Sequence, residues 1–380
     1  MAMLIMDKLQ GFWNAAGSDG YVLLVCIFFF VYLLIRILYK TIVICSPCKE
    51  GNKGRQEGVS VIITSSNREW DLKNNLESFL TQDYPEYEVI VVDECSEDDT
   101  QDTLAELQLK YPRLRTSRLF PETKFRNTKK IALHIGILAA QYDILLFSEI
   151  DCRPDTKNWI RDMQARFDEH TAVVLGYANY AAGRGMDMWR FFRFLRFLKM
   201  ILFVKSGSFV LGDGRNMAYR KKNYLKEKGF SKNTHSYIGY DNEMVKALSK
   251  GGNVRISKKD STFVTINDGD RKTWKGDYTY YHENKRKWPI SALLKSDLDH
   301  CVRLLFYVMG IYLVCKKVLL PYTMTGIAFV FTVEMIATCI DIRNLKQKKL
   351  FLPSVAAGFV GFLYRWYFTM YAIFTRKKWR

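Results

Sequence analysis

Four long apolar stretches constrain this 380-residue chain before any motif does. Gly20 to Ile35 carries no charge, and Arg36 and Lys40 can snorkel, so the first hydrophobic span extends to about Cys45. Residues 301–315, 318–340 and 350–375 are also strongly apolar. The formal net charge of +18 suits nucleic acid, anionic lipid or a polyphosphate substrate. The apolar spans decide for a membrane protein and set nucleic acid aside as a partner. Length leaves room for one large or two medium domains with an ample core.

The charges around the first span set its orientation. Before it stand only Lys8, Asp7 and Asp19, and no small-residue cleavage site follows, so a cleaved signal peptide is not expected. Arg36, Lys40, Lys49, Lys53 and Arg55 place the amino terminus outside and residues 46 to 300 in the cytosol. At the other end, 301–315 crosses outward and 318–340 returns, which keeps Arg343, Lys346, Lys348 and Lys349 cytosolic. Pro353, Gly358, Gly361 and Arg365 interrupt the last stretch, so a re-entrant or interfacial element is expected there. This arrangement leaves Lys316 and Lys317 outside and makes 301–315 short for a bilayer. The eight cysteines fit a reducing compartment, and Cys45-Ser46-Pro47-Cys48 has no second CxxC pair to answer it.

After a linker over 47–57, strands and helices alternate. Val59–Thr64 and Glu88–Asp93 are short apolar runs, each followed by a helical pattern, Asp71–Gln82 and Thr100–Tyr111. A third helix is expected over Thr128–Gln141, then a third strand at Asp143–Phe147. Three such alternations predict a mostly parallel α/β sheet, whose ligands sit at the carboxyl ends of the strands. Thr64, Asp93, Glu94, Glu149 and Asp151 all fall there. Neither a G-x-G-x-x-G nor a Walker sequence is present, so phosphate charge has to be met by a metal and by basic side chains. Lys124, Arg126, Lys129 and Lys130 can do this, or can be ordinary surface charges.

Glu149 and Asp151, two residues apart at the end of a strand, point the same way. Converging carboxylates repel unless a cation lies between them, and a hard divalent ion holding a diphosphate satisfies both. A solvated acidic turn closed by Pro154 is the alternative. Met186–Val204 interleaves aromatic residues with Arg190, Arg193, Arg196 and Lys199. It reads either as a helix in the plane of a membrane surface or as a core helix with snorkelling cations. None of the five histidines has ligand spacing, and no Ser/His/Asp set suggests a covalent nucleophile. Asp241 reads by itself as a helix N-cap.

Taken together, these residues resemble the inverting family 2 glycosyltransferases of GT-A fold, and most of all membrane-anchored bacterial members. Val59–Asn67 resembles the opening strand, with Thr64 at the nucleotide-contacting position. Val91–Thr100 is similar to the D-D-x-S-x-D-x-T segment, with Glu94 as the second acid. Lys129–Leu133 resembles the lysine turn near the diphosphate, and Glu149-Ile150-Asp151 falls on the D-x-D. Gly212–Arg220 resembles the acceptor-side G-x-G-x-N-x-A-x-R, bringing in Gly214 and Asn216. Gly239–Met244 lies on the E/D-D motif with Tyr240 in place of its first acid, and Asn284–Trp288 occupies the Q-x-x-R-W site.

The resemblance implies a Rossmann-like GT-A domain over 58–298, flanked by an anchor at 1–46 and a membrane region at 299–380. It implies Mg²⁺ or Mn²⁺ on Asp151 and Glu149, with Thr64, Asp93, Glu94 and Lys129 on the nucleotide sugar. Asp241 is the implied base, and Arg286, Lys287 and Trp288 lie on the phosphate and acceptor side. The expected activity is transfer from a nucleotide-diphosphate sugar to a lipid-linked or polysaccharide acceptor of the cell envelope, at the inner membrane beside its lipid. A processive polysaccharide synthase and a catalytically weak partner subunit are the alternatives.

Overall fold

The computed structural model describes residues 11, 19–48, 51, 56–120, 128–183, 185–209, 211–232, 240–267 and 273–374. Lys124, Arg126, His235, Gly239 and the basic tail 376–380 lie outside the described residues. The chain divides into two compact units. One comprises Met1–Ser46 with Trp288–Val355, the other Pro47–Lys287 with Ala356–Arg380.

The first unit opens with α1 (Gly20–Cys45). In the second unit β1 (Val59–Ser65), α2 (Glu69–Leu80), β2 (Tyr87–Asp93), α3 (Thr100–Lys110), β3 (Leu114–Arg118), α4 (Thr128–Ala139) and β4 (Ile144–Glu149) alternate. Every residue of β1 and β2 is buried, which is why these strands read as unbroken apolar runs rather than alternating ones. Helix α2 buries Leu72, Leu76, Phe79 and Leu80, the face expected from their spacing.

The chain then becomes less regular. It forms β5 (Cys152–Pro154), α5 (Trp159–Gln164), β6 (Thr171–Leu175), β7 (Ala178–Tyr180), α6 (Asp187–Lys205), β8 (Met217–Arg220) and α7 (Lys221–Lys226). Next come α8 (Tyr240–Leu248), β9 (Asn253–Ile256), β10 (Val264–Ile266) and α9 (Thr273–Lys285). The main sheet runs β3-β2-β1-β4-β8-β6-β9, and only β8 is antiparallel to its neighbours. A second sheet, β5-β10-β7, stands beyond the end of β4. Thr64 pairs with Glu149 and Ser65 with Asp93, so three predicted site residues share the carboxyl edge of the sheet.

Helix α6 is a core element. Phe194, Phe197, Ile201 and Phe203 are buried in it, and so are Arg190 and Arg193. The cations are tolerable because β7 offers them backbone acceptors: Arg193 Nε donates to the Ala178 carbonyl at 2.7 Å, and Arg190 Nε to that of Tyr180 at 3.2 Å. The core reading of 186–204 therefore holds over the membrane-surface one.

In the first unit α1 packs with α10 (Ile290–Cys315) and α11 (Leu320–Asn344), and these three helices are long and apolar enough to cross a membrane. Helix α10 begins eleven residues before the apolar stretch read from the sequence. Its 26 residues span about 39 Å, so the expected shortness for a bilayer disappears. Arg36 and Lys40 do more than snorkel: both reach Asp299, at 2.9 and 2.5 Å, and the Tyr32 hydroxyl donates to it at 2.8 Å. The last stretch forms α12 (Phe351–Phe374). Its Phe368 is buried in the second unit against Tyr278, Trp189 and Trp274, the two indoles being stacked at 3.6 Å.

Candidate active site

Because β4 ends at Glu149 and turns at once into β5, the two acids of Glu149-Ile150-Asp151 emerge where the two sheets meet. Each already has a cation. Lys129, from the second position of α4, lies 2.8 Å from Glu149 Oε1, and Tyr240 donates its hydroxyl to the same oxygen at 3.3 Å. Gly214 makes that reach possible: a Cβ there would lie 2.4 Å from the Tyr240 hydroxyl oxygen. Burial by itself would raise the Glu149 pKa, but Lys129 and Arg215 outweigh it and hold the carboxyl well below its ordinary range.

Asp151 is buried, and Arg215 binds it through Nη2 at 3.2 Å and Nε at 3.5 Å. The Cys152 thiol donates to Oδ1 at 3.1 Å. The other arm of Arg215, Nη1, lies 3.1 Å from both oxygens of Asp277 on α9. Asp277 also accepts from Arg193 at 3.1 Å and from the Tyr180 hydroxyl at 2.6 Å. Arg193 continues the chain to Asp213 at 2.5 Å. Burial alone would raise the pKa of Asp277, and the two guanidinium groups hold it below the carboxylate range instead.

One helical turn along α9 from Asp277, the Tyr280 hydroxyl donates to Asp241 Oδ1 at 3.0 Å. The same oxygen accepts from the Asn242 backbone N–H at 2.9 Å. Asp241 is the second residue of α8 and is buried. Burial pushes its carboxyl pKa up, helped by Asp213 and opposed by Arg196, the Asn242 N–H and Tyr280. Asp241 thus lies inside the helix rather than at the N-cap read from the sequence, and its carboxyl pKa is raised. Asp151 and Asp241 are joined by one contact chain, Arg215–Asp277 and Tyr280, and Tyr240 ties the start of α8 to Glu149.

The other predicted residues divide. Thr64 is buried beside Glu149 in the strand register. Asp93 is buried and holds its own turn together, accepting from the Ser96 N–H at 3.1 Å and from Gln101 Nε2 at 2.5 Å. Glu94 stands half-buried next to it. Asn216, expected on the acceptor side, is spent on the fold. Its Nδ2 donates to the carbonyls of Tyr177 and Thr262 at 2.8 and 2.7 Å, and Oδ1 accepts from Trp159 Nε1 at 3.2 Å.

Arg286 and Lys287 are exposed just past α9, with Lys287 in electrostatic range of Lys130. Trp288 falls in the other unit. Asn284 Nδ2 is buried with no hydrogen-bond partner among the described residues, an open donor on the Q-x-x-R-W segment. Sequence reasoning missed Arg215, Asp277 and Tyr280. Arg215 lies inside the quoted G-x-G-x-N segment, but nothing in the local pattern marks its partner on α9, 62 residues further on.

A divalent ion fits this donor set. Both acids offer hard oxygen ligands, and Glu149 Oε2 has no protein partner among the described residues. Among those residues, too, no cluster of three or more ligating side chains forms a closed cage. Any ion here would complete its shell with substrate oxygens or water.

A mostly parallel sheet with acids at its carboxyl edge and a lysine-bearing helix start beside them is the arrangement of a GT-A glycosyltransferase fold. Residues 60–226 match the family described as Glycosyl transferase family 2, and the chain carries that family's domain. Among solved structures, mannosyltransferase PcManGT from Pyrobaculum calidifontis, in complex with GDP-Man and Mn2+, is similar in fold. The match covers 86% of this chain and 99% of that one, at 14% identity and a TM-score of 0.56. S. aureus TarS 1-349 in complex with UDP matches over 60% of this chain and 66% of its own, at 20% identity and a TM-score of 0.41.

Proposed function

We propose that this glycosyltransferase is anchored in the cell membrane by several crossings and works on its cytosolic side. It takes a nucleotide-diphosphate sugar and transfers the sugar, with inversion, to a lipid-linked or polysaccharide acceptor. The observation that carries the reading is Asp241: a buried carboxylate with a raised pKa, one oxygen fixed by Tyr280 and the Asn242 N–H, in the same contact network as Asp151. Thr64, Asp93 and Glu94 line the edge where the nucleotide binds. The Mn2+-bound fold relative and the two carboxylates support Mg²⁺ or Mn²⁺ on Asp151 and Glu149. When bound, the ion supplies Lewis-acid stabilisation of the departing diphosphate.

The protein's own residues do the rest. Lys129, Arg286 and Lys287 supply positive charge where negative charge accumulates on the leaving nucleoside diphosphate. Asp241 takes the proton from the acceptor hydroxyl as that oxygen bonds to the anomeric carbon. The bond from that carbon to the phosphate oxygen breaks on the opposite face, so one displacement inverts the centre. Gly214 keeps the Tyr240 hydroxyl on Glu149, and the unsatisfied Asn284 Nδ2 is a donor available to the acceptor side.

The test is turnover of UDP- and GDP-sugars by the full chain in detergent, for wild type, Asp241→Asn and Asp151→Ala. Wild-type turnover that both variants lose is the expected result. Equal turnover by all three removes the site assignment. No donor binding at any metal concentration favours the partner-subunit reading.

A further inference from the structure

Arg215 stands half-buried between two acids, and its two arms are unequal. Nη1 bridges both oxygens of Asp277 at 3.1 Å, while Nη2 and Nε reach Asp151 at 3.2 and 3.5 Å. The guanidinium can therefore give up Asp151 and remain neutralised by Asp277, which Arg193 and the Tyr180 hydroxyl hold in place. On the other acid, Lys129 has the corresponding position. The pair that would receive a divalent ion is thus charge-compensated before any ligand arrives. An ion entering alone would put two further positive charges beside a guanidinium and an ammonium. A nucleoside diphosphate entering with it gives both cations an anionic partner of their own.

We propose that Arg215 is the counter-ion that holds Asp151 in the donor-free protein and turns to the donor diphosphate when donor and metal arrive together, so that neither binds well without the other. This rests on the nucleotide-sugar reading above. Arg215 is a positioning residue here: it decides when Asp151 is available as a ligand. Linkage then requires that nucleotide tightens metal binding by the same factor by which metal tightens nucleotide binding.

The experiment is a Mn²⁺ titration of the full chain in detergent, read by the loss of free-ion electron paramagnetic resonance signal, with and without UDP or GDP. In wild type, nucleotide is expected to tighten Mn²⁺ binding by at least ~10-fold. In Arg215→Gln the nucleotide-free Mn²⁺ affinity should rise by ~10-fold and the nucleotide effect should shrink correspondingly. Arg215→Lys keeps the charge and should behave nearer to wild type. Nucleotide-free Mn²⁺ affinity that is unchanged or weaker in Arg215→Gln overturns the proposal. If that variant does not fold, Asp277→Asn carries the test. It leaves Arg215 to Asp151 alone, so Mn²⁺ should bind several-fold more weakly with nucleotide present, and an unchanged affinity overturns the proposal. A wild type that binds neither nucleotide under any condition sinks the glycosyltransferase reading instead, an outcome distinct from all of these.

Discussion

The two halves of the catalytic unit are held together by different physics. On the donor half, Thr64, Asp93 and Glu149 stand on adjacent parallel strands, and buried backbone ladders alone set their register. On the half proposed to face the acceptor, Asp213 and Asp277 come from a loop and a helix, and charges position them: Arg193 between Asp213 and Asp277, Arg215 between Asp277 and Asp151. Ladders between apolar strands tolerate a changed side chain. A chain of buried ion pairs does not, because removing one member leaves its partner charged and dry. Changes on the strand edge should therefore lose function without losing fold, and changes inside the ion-pair chain should lose both.

Four changes can break or sharpen that contrast. Asp241→Asn, isosteric and at a helix start, should lower the transfer rate by ~10²–10⁴-fold while nucleotide binding persists. Single-turnover kinetics alongside nucleotide titration would check it, and unchanged transfer would move the base elsewhere. Arg193→Met should cost about 3–5 kcal/mol by leaving Asp213 without its cation and removing one of the two from Asp277. That lowers the melting temperature of the unit by roughly 6–20 °C in a thermal-denaturation scan. A melting point like that of wild type would mean the network is not what holds the acceptor half.

The donor-side counterpart is Asp151→Ala, at the end of the ion-pair chain, which leaves Arg215 neutralised by Asp277. It should weaken metal-dependent donor binding by about 10²-fold with the fold intact, read by calorimetry and circular dichroism side by side. A large drop in melting temperature there would erase the contrast.

The smallest effect is a shift in pH dependence. On the proposed mechanism Asp241 works as an ionised base, and its pKa is raised, so the rate should fall as pH drops through that raised value. Tyr280→Phe removes a hydrogen bond that favours the ionised form. With Arg196 and Asp213 left in place around the carboxyl, the acid limb of the pH–rate profile should move to higher pH. A limb that stays put or moves down would show that Tyr280 does not face the ionised acid.

How much could be read in advance follows the same division. The alternation of β1, β2 and β4 with α2 to α4 was legible, because buried parallel strands are largely apolar runs and each helix keeps its 3.6-residue face; β3 was not, because this edge strand (Leu114–Arg118) is polar and mostly solvated. The acids at the strand ends were legible for the same reason. Helix α6 was not: aromatic residues interleaved with arginines have the same pattern whether the cations face lipid headgroups or the carbonyls of β7. Asn216 carried the motif of an acceptor residue and turned out to clamp Tyr177, Thr262 and Trp159. A motif records residue type, and a buried amide is claimed by whichever backbone comes within 3 Å.

By itself the amino-acid order determined the long apolar helices, the parallel sheet and the carboxylates at its edge. These depend on hydrophobic periodicity and on strand direction, which are local. Only the tertiary structure decided that Arg215 faces Asp151, that Asp277 and Tyr280 on one helix reach the two halves of the site, and that Asp299 meets Arg36 and Lys40. Charge pairing acts through space over a few ångströms, between residues dozens to hundreds of positions apart, and no spacing in the chain announces it.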